Sequence, residues 1–317
     1  MESILVTGGC GFIGSNFINT FHEKNPDVQI INIDKIDYCS NIHNVKKGAA
    51  KLVKGNIHNK ELLINLIEEY KFKSVFHFAA QSHVDNSFND PLSFTIENVY
   101  GTHVLIETFR QYQPSVEFIH FSTDEVYGQS VNDKIFFETD TLNPTNPYSA
   151  SKAAAEMCVN SYIESFTMNI KIVRCNNVYG INQYPEKIIP KFLKLLHENK
   201  KCTIHGTNSS CIKRAFINIE DVINGVDMVW KNGKNGEIYN ISSNNEITIF
   251  ELAKIIIKIV KKTDDYIDWI EYVEDRPFND ERYFINSEKL CNLGWKPKNS
   301  FKELISFIEK ENEKFQG

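Results

Sequence analysis

Two short groups of residues have the types and spacing needed for chemistry on a hydroxyl-bearing substrate. Residues 122–128 have the sequence STDEVYG, which places a hydroxyl group beside two carboxyl groups. Tyr148 and Lys152 follow four positions apart, so on a helix the phenol and the ammonium group lie on one face. Together these groups could remove a hydride, eliminate water and return the hydride.

The tyrosine and lysine suggest a base for a sugar hydroxyl. Tyrosine normally titrates near pH ~10, but a lysine cation and an oxidised nicotinamide nearby would favour the phenolate. Tyr148 could then act as a general base at neutral pH. Asn146 and Pro147 are typical of a helix start, which supports the helical spacing. A Tyr-x-x-x-Lys pair alone is also common on solvated helices, so its interpretation depends on the neighbouring motifs.

The two adjacent carboxyl groups suggest a division of acid and base roles. Residues 122–125 follow a predicted strand, and doubly wound sheets bind ligands at the carboxyl ends of their strands. Two carboxylates there are costly unless they are used. Glu125 could stay ionised and take a proton from carbon, while Asp124 stays protonated and gives its proton to a leaving hydroxyl. The alternative is a solvated acidic turn.

The elements that must position these residues alternate between strands and helices. Apolar patterns predict strands at 4–6, 28–33, 51–53, 74–78, 116–121 and 170–173, and helices at 12–22, 60–70, 92–112 and 149–166. This alternation predicts an α/β fold with a doubly wound parallel sheet.

After about residue 175 the predicted elements become shorter and prolines interrupt them. Strands at 214–219 and 237–241 are expected to pack back onto the first domain, and helices at 188–198, 249–261 and 301–314 fit a smaller second domain. The sequence therefore predicts a first domain at 1–175, with return segments near 214–245, and a second domain at 176–317.

A glycine-rich turn connects the first predicted strand to the first helix. Gly8, Gly11 and Gly14 recur at three-residue intervals. Such glycines tolerate unusual backbone angles, let a pyrophosphate approach the N–H groups at the helix start, and permit close packing of helix on strand. Asp34 follows the second strand, 20 residues after Gly14, where a carboxylate binds the adenosine ribose and repels a 2′-phosphate. The motif predicts that the first domain binds NAD rather than NADP.

Composition restricts the class of partner. The 317 residues carry a formal net charge of −6, which disfavours a nucleic-acid or anionic-membrane surface. The sequence shows no basic-then-apolar leader and no run of about 18 apolar residues, so we expect no signal peptide and no membrane span. The seven cysteines are scattered and lack a Cys-x-x-Cys, which predicts reduced thiols in a cytoplasmic protein, with no metal site and no disulfide framework.

Several segments resemble the extended short-chain dehydrogenases, and specifically the nucleotide-sugar 4,6-dehydratases. The resemblance covers nearly the whole chain and includes residues 7–16, 34–38, 77–85, 122–128, 144–152, 177–180, 184–187 and 275–277. The STDEVYG run is the most specific segment, because related epimerases keep the Tyr and Lys but usually lack the Asp-Glu pair. The resemblance implies a Rossmann NAD-binding domain followed by a smaller domain for a nucleotide sugar.

The resemblance also implies a three-stage reaction on one tightly bound NAD⁺. Tyr148 removes the C4 hydroxyl proton of the glucosyl group while C4 passes a hydride to the cofactor, and Thr123 helps to hold that hydroxyl. Glu125 then removes the C5 proton, and Asp124 protonates the C6 hydroxyl as water leaves. The hydride returns to C6, which converts dTDP-glucose or UDP-glucose to a 4-keto-6-deoxy sugar.

Further positions carry over from the family as ligand contacts. The expected NAD contacts are Gly8, Gly11, Phe12, Ile13, Gly14, Asp34, Lys35, Asp37, Asn56, Ile57, Phe78, Ala79, Ala80, Ser82, Tyr148 and Lys152. The expected nucleotide-sugar contacts are Ser82, Thr123, Asn177, Lys187, Ile188, His205, Arg214, Asn245, Arg276 and Asn279. Arg214 and Arg276 are the expected diphosphate contacts, since a guanidinium group matches phosphate oxygens; the alternative is surface arginines. The helix after Leu92 and the helix with Tyr148 are expected to form a homodimer contact.

Departures from the family pattern leave the nucleotide base open. Asn56 stands where the family often has Asp, Asn86 where bacterial members tend to have Arg, and Phe278 and Asn279 where they have Gly-His. Residues 37–40 and 276–280 look more like eukaryotic members, some of which use UDP-glucose while others are named for dTDP-glucose. One methyl group contributes only about 1 kcal/mol in a pocket.

Two other functions remain as alternatives. A nucleotide-sugar 4-epimerase or decarboxylase of the same fold is disfavoured by Asp124 and Glu125, because an epimerase needs no C5 base and no C6 acid. A non-catalytic NAD-binding scaffold is disfavoured because Tyr148 and Lys152 are both present.

Overall fold

The computed structural model describes residues 2–206, 212–243, 245–298 and 300–315. The strands are β1 Ser3–Thr7, β2 Gln29–Asp34, β3 Lys51–Lys54, β4 Ser74–His77, β5 Glu117–Thr123, β6 Ile170–Cys175, β7 Asn177–Tyr179, β8 Cys202–His205, β9 Lys213–Asn218, β10 Ile238–Ile241, β11 Glu246–Thr248 and β12 Ile270–Val273. The helices are α1 Phe12–Lys24, α2 Lys60–Tyr70, α3 Val84–Asn89, α4 Pro91–Phe94, α5 Gly101–Tyr112, α6 Pro147–Phe166, α7 Ile188–His197, α8 Ile219–Asn232, α9 Ile249–Lys261, α10 Glu288–Cys291 and α11 Phe301–Glu313.

Seven strands form one parallel sheet in the order β10-β6-β5-β4-β1-β2-β3. The chain moves outward from β1 through β2 to β3, and then starts again at β4 on the other side of β1. This reversal creates a switch point between β1 and β4, where open α/β sheets bind ligands at their carboxyl ends. The predicted doubly wound α/β fold is confirmed.

Alternate residues of each strand face opposite sides of the sheet, and both sides carry apolar side chains. A layer of helices therefore covers each face. On one face, Ile4 of β1 packs in a buried cluster with Phe17 of α1 and Val222 of α8. On the other face, Leu5 of β1 packs in a cluster with Ile106 of α5 and other apolar residues of α2 and α6. The sheet is therefore buried on both sides, which leaves its carboxyl edge as the place for a site.

Helix α8 was not predicted from the sequence. It continues directly from β9, and Asn218 caps it by accepting a hydrogen bond from the Glu220 N–H at 2.8 Å. Because no turn separates the strand from the helix, the pattern of punctuating residues does not mark its start. The helix carries the chain back to β10, which pairs with β6 in the large sheet, at the position expected for a returning strand.

The elements beyond β6 also form smaller sheets. β7, β9 and β11 make one sheet, and β8 pairs with β12. Helices α7, α9 and α11 pack around them through a cluster that includes Phe192, Ile256 and Ile308. The predicted helices are present, whereas β7, β8, β11 and β12 have only three or four residues each, too few for a clear alternating pattern.

The single helix predicted at 92–112 contains a wider turn. A π-helical segment, Thr95–Tyr100, lies between α4 and α5. Its buried Asn98 donates from Nδ2 to the Gln81 carbonyl and to the Ser151 hydroxyl, each at 2.9 Å. π-Helical turns occur often at functional sites. Here the turn joins the segment after β4 to α6, which carries Tyr148.

The described part of the chain contains no helix that is long and apolar enough to cross a bilayer. Its six cysteines are free thiols, and Cys211 lies outside the described residues. Burial raises the pKa of Cys10 to about 11 and that of Cys202 to about 12, as for thiols that pack as small apolar groups.

Candidate active site

One cleft, called here the main cleft, follows the carboxyl ends of β1, β4 and β5 and is closed on its other side by residues from 177 onward. Among the described residues that were predicted as site residues, Asn245 alone does not line it. Asn245 instead lies beside β9, where its carbonyl accepts a hydrogen bond from the Phe216 N–H at 3.2 Å. The structure therefore brings the predicted catalytic, NAD and sugar-nucleotide residues together, apart from this one.

The glycine turn between β1 and α1 forms one end of the main cleft. Gly8 has a φ of +70°, and a Cβ there would lie 2.7 Å from the backbone of Ala79. A Cβ on Gly14 would lie 2.4 Å from the Gly8 carbonyl oxygen. Helix α1 begins at Phe12 without a cap from any described side chain, so its first N–H groups can bind an anion. This turn fits the pyrophosphate of a dinucleotide.

Asp34 at the end of β2 fixes the backbone around that turn. Its Oδ2 accepts from the Cys10 N–H at 2.9 Å, and its Oδ1 accepts from the Ile36 N–H at 2.8 Å and from the Ser40 hydroxyl at 2.9 Å. A carboxylate offers about four lone-pair sites. Asp34 therefore has a structural role that the sequence did not predict, and it keeps room for a ribose hydroxyl.

Polar residues border the cleft beyond Asp34. Lys35 pairs with Asp37 at 2.7 Å and with Glu97 at 3.2 Å. Burial alone would lower the pKa of Lys35, but these two carboxylates outweigh it and raise the pKa. Asn56 donates from Nδ2 to Glu97 at 3.3 Å. Glu97 comes from the π-helical segment, and it was not predicted as a site residue because that wider turn changes which side chains face the cleft.

Asp124 is the more enclosed of the two adjacent carboxyl groups. It is 2% exposed, and its oxygens accept from the Thr123 hydroxyl at 3.2 Å and from the Asn176 amide at 2.6 Å. Burial and the nearby charge of Glu125 raise the pKa of Asp124 to about 7. A carboxyl group that keeps its proton near neutral pH can act as an acid towards a leaving hydroxyl.

Glu125 is partly open to the main cleft. Its Oε2 accepts from the Asn146 amide at 3.0 Å. Burial raises the pKa of Glu125, while the hydrogen bond from Asn146 and the cations Arg214 and Lys187 oppose that rise. The carboxylate is therefore a stronger base than an exposed glutamate, with cations close enough to support its ionised form.

Tyr148 lies at the start of α6, where Asn146 and Ser149 form a capping box. Burial raises the pKa of Tyr148, the charge of Glu125 raises it further, and a hydrogen bond with Thr123 lowers it. The surrounding protein thus shifts this pKa upward, whereas the predicted phenolate depends on the added positive charge of an oxidised nicotinamide. The phenolate needs a strong positive charge close by, as an oxidised nicotinamide would supply.

Lys152 lies one turn further along α6. Its Nζ donates to the Phe121 carbonyl at 2.8 Å, which fixes the ammonium group below the end of β5. Burial lowers the pKa of Lys152 to about 8, and the charge of Glu156 opposes this shift. Lys152 therefore holds a cation inside the cleft at neutral pH.

The two arginines expected to bind diphosphate have different partners. Arg214 donates to the Asp280 carbonyl at 2.8 Å, and its guanidinium group lies 4.7 Å from the centre of the Tyr283 ring. Arg276 pairs with Asp85 at 2.6 Å. Arg214 is thus engaged in holding residues 280–283, whereas Arg276 is paired with a carboxylate that also lines the main cleft.

The remaining predicted sugar-nucleotide residues also line the main cleft. Lys187 donates from Nζ to the Ser82 carbonyl at 3.0 Å, and burial lowers its pKa. The other members of this set are Asn177, Ile188, His205 and Asn279.

Several residues that contact the carboxyl groups were missed as site residues. Asn176 directly follows β6, and Asn146 was recognised only as a helix start. Their position at the carboxyl edge of the sheet could have identified both as site residues. Asp280 and Tyr283 lie in a segment without a helical or strand pattern, so the sequence offered no comparable signal.

A comparison with protein-family models matches residues 5–308 to the family described as GDP-mannose 4,6 dehydratase. The chain belongs to this dehydratase family. Among curated relatives, the Bos taurus dTDP-D-glucose 4,6-dehydratase is 47% identical over 311 residues, which cover 96% of this chain and 86% of the relative.

Two further matches support this assignment. A trifunctional Arabidopsis thaliana protein, named first as a UDP-glucose 4,6-dehydratase, is 42% identical over 308 residues, which cover 95% of this dehydratase and 46% of that protein. A solved dTDP-glucose 4,6-dehydratase from Streptomyces venezuelae, with NAD bound, has a TM-score of 0.91 and 32% identity, and the match covers 98% of this chain and 97% of that one. The predicted family, the enzyme class and the NAD cofactor are confirmed.

Proposed function

We propose that this dehydratase converts dTDP-glucose or UDP-glucose to the NDP-4-keto-6-deoxyglucose and water. The observation that carries the proposal is the pair Asp124 and Glu125 at the end of β5, with different partners and different exposure, in one cleft with Tyr148. A 4-epimerase needs neither a C5 base nor a C6 acid, and a scaffold needs no such site. Dehydration therefore gives Asp124 and Glu125 a role, whereas neither an epimerase nor an NAD-binding scaffold would use them.

Each side chain has a place in the sequence of proton transfers. Tyr148, aided by the Lys152 charge, takes the proton of the C4 hydroxyl, which Thr123 holds. The glycine turn between β1 and α1 and the carboxylate of Asp34 would hold NAD⁺, which would supply the hydride chemistry for C4 and C6. The new C4 ketone acidifies the C5 proton, which Glu125 takes, and Asp124 gives its proton to the C6 oxygen as water leaves. Glu125 then returns a proton to C5.

The ligands are proposed to divide along the main cleft. The glycine turn, Asp34 and the residues after β4 would hold NAD, which makes residues 1–175 with the returning strand β10 the cofactor domain. Residues from 176 onward would supply most contacts to the nucleotide sugar, including Lys187 and Arg276. Arg276 is the better of the two proposed diphosphate contacts, because its carboxylate partner Asp85 occupies an anion position in the cleft.

A parallel assay tests the substrate. The purified protein is incubated with dTDP-glucose or UDP-glucose, and products are followed by mass spectrometry. Loss of one water from either sugar is expected, and the ratio of the two kcat/KM values assigns the base. If NAD is bound and neither sugar loses water, the proposal fails.

We also propose that the protein is a cytoplasmic homodimer. The free thiols are compatible with a reducing compartment. Leu92, Ile96 and Tyr100 are exposed on the helical segment 91–112, which packs beside α6. An exposed apolar strip of this kind on two adjacent helices is typical of an interface between copies.

A further inference from the structure

A carboxyl group outside the catalytic run faces the proposed C5 base. Asp280 and Tyr283 belong to the segment between β12 and α10, which the sequence patterns did not assign to any element. Both side chains are buried, and both line the main cleft. A buried carboxyl group is costly unless the surrounding structure uses it, so its partners are informative.

The contacts of Tyr283 connect the two carboxyl groups. The Tyr283 hydroxyl donates a short hydrogen bond to Oδ2 of Asp280, and its oxygen lies 3.4 Å from Oε2 of Glu125. Thr145 donates its hydroxyl to the same Asp280 oxygen at 2.6 Å. The other oxygen of Asp280, Oδ1, is buried and has no hydrogen-bond partner among the described residues. The phenol therefore bridges a buried carboxyl group and the proposed base.

The position of Glu125 is fixed from two sides. Asn146 at the start of α6 donates to Oε2 at 3.0 Å, and the Tyr283 hydroxyl approaches the same oxygen. Because both contacts involve Oε2, Oε1 is the oxygen that can take a proton from a substrate carbon. A base must be held within hydrogen-bond reach of the proton that it removes, so small displacements of Glu125 matter.

The charges around Glu125 come from several elements. Arg214 of β9 and Lys187 before α7 favour its ionised form, while Asp280 and its neighbour Asp124 oppose that form. Tyr148 of α6 also faces it. Arg214 further donates to the Asp280 carbonyl and covers the Tyr283 ring, so it holds the bridging segment in place. Among the described residues named here, Asp280 is the only acidic one connected to Glu125 by the phenol of Tyr283.

We propose that Asp280 and Tyr283 form a positioning pair that orients Glu125 and strengthens it as the base of the elimination step. The pair does not touch the reacting carbon and acts through Glu125. The inference rests on the proposed dehydration, because only that reaction needs a base at C5.

Two conservative variants test the pair. Asp280→Asn keeps the shape of the side chain and removes its charge, and Tyr283→Phe removes only the bridging hydroxyl. The matched control is Tyr162→Phe, which also removes a buried phenol hydroxyl, one that donates to the Glu107 carboxylate at 2.9 Å outside the main cleft. Bound NAD and thermal unfolding report whether each variant folds.

The expected results separate the elimination step from binding. In both variants kcat falls by about 100-fold with little change in KM. Reduced cofactor accumulates during turnover, because C4 oxidation continues while C5 deprotonation is slow. The primary isotope effect with NDP-glucose deuterated at C5 increases. Only Asp280→Asn moves the acidic limb of the kcat profile to lower pH, since it removes a negative charge that raises the pKa of Glu125.

The possible failures are distinguishable. If the wild-type protein does not release water from either sugar, the proposed function and this inference both fail. If the wild type dehydrates its substrate while both variants match Tyr162→Phe in kcat, isotope effect and pH profile, only the positioning pair is overturned. If Asp280→Asn does not fold, the kcat and isotope effect of Tyr283→Phe decide the question.

Discussion

At the scale of single residues, burial and neighbouring charges separate two carboxyl groups that are adjacent in the chain. Asp124 is enclosed by Thr123 and Asn176, and its pKa rises to about 7. Glu125 opens to the cleft and has cations near it. The first can therefore deliver a proton at neutral pH, while the second can accept one.

Removing either carboxyl group should stop elimination without releasing the cofactor. We expect Asp124→Asn and Glu125→Gln each to lower kcat by about 10²- to 10⁴-fold, the usual contribution of a general acid or base. Bound NAD should be retained, because neither side chain is part of the glycine turn. Steady-state kinetics and cofactor content measure both effects, with the exposed Asp133→Asn as control. Near-normal turnover in both active-site variants would show that these roles are wrong.

The same buried carboxyl group makes a prediction about stability. The folded protein raises the pKa of Asp124 from 3.8 to about 7, so the folded state binds its proton more tightly than the unfolded state. Stability from this group is therefore present at low pH and is lost as pH rises towards 7. The side chain introduced by Asp124→Asn cannot ionise. The free energy of unfolding of this variant, relative to that of the wild type, should therefore increase by on the order of 2 kcal/mol between pH 5 and pH 8. Denaturant unfolding at both pH values measures this; a constant difference would contradict the raised pKa.

Residue types predicted the two roles but not their cause. Asn176 is 52 positions from Asp124, and Asn146 is 21 positions from Glu125. Such partners depend on which strand and helix ends meet at the sheet edge, and spacing in the sequence does not contain that information. For the same reason the upward shift in the pKa of Tyr148 was not foreseen.

At the scale of elements, the turn between β1 and α1 combines unusual backbone geometry with close packing. Gly8 has a φ of +70°, and its Cα approaches the chain at Ala79 so closely that a side chain has no space. Both properties place the N–H groups at the start of α1 where an anion can reach them.

Gly8→Ala should damage both stability and cofactor binding. A matched control is available in Gly48→Ala, because Gly48 has a φ of +84° but a Cβ there would meet nothing within 4 Å. We expect Gly48→Ala to lower the free energy of unfolding by about 1 kcal/mol, and Gly8→Ala by about 2–4 kcal/mol with loss of NAD. Thermal unfolding and cofactor content of the purified variants measure this. Equal effects would mean that close packing at Gly8 is unimportant.

The sequence predicted the long periodic elements well and the irregular ones poorly. Helix α2 has its predicted bounds, because Asn59 caps it and its apolar residues recur at helical spacing. The π-helical turn at Thr95–Tyr100 was missed, because one extra residue in a turn leaves no mark in such a pattern. Helix α8 was missed because it follows β9 without a break.

At the scale of the whole molecule, two neighbouring helical segments expose apolar side chains. Leu92 is 73% exposed, and Ile96 and Tyr100 follow it along the same segment. On α6, Ala150, Ala154 and Met157 are exposed at helical spacing. A self-complementary contact of these segments would produce a twofold homodimer.

Charges placed in this strip should separate the subunits. We expect the wild type to sediment as a dimer at micromolar concentration and the double variant Leu92→Lys, Met157→Lys as a folded monomer, because two lysines per subunit would be desolvated at the contact. Ile267→Lys is the control, since Ile267 is 72% exposed but lies before β12, away from both helices. A wild-type monomer, or a dimer that survives the double variant, would exclude this interface.

The proposed mechanism requires the transfer of one hydrogen from C4 to C6 within a single substrate molecule. The direct measurement uses dTDP-glucose and UDP-glucose deuterated at C4, with the product analysed by mass spectrometry and proton NMR. We predict that the product has lost one water and carries the deuterium in its C6 methyl group. A product without water loss, or a dehydrated product without deuterium at C6, would contradict the proposed mechanism.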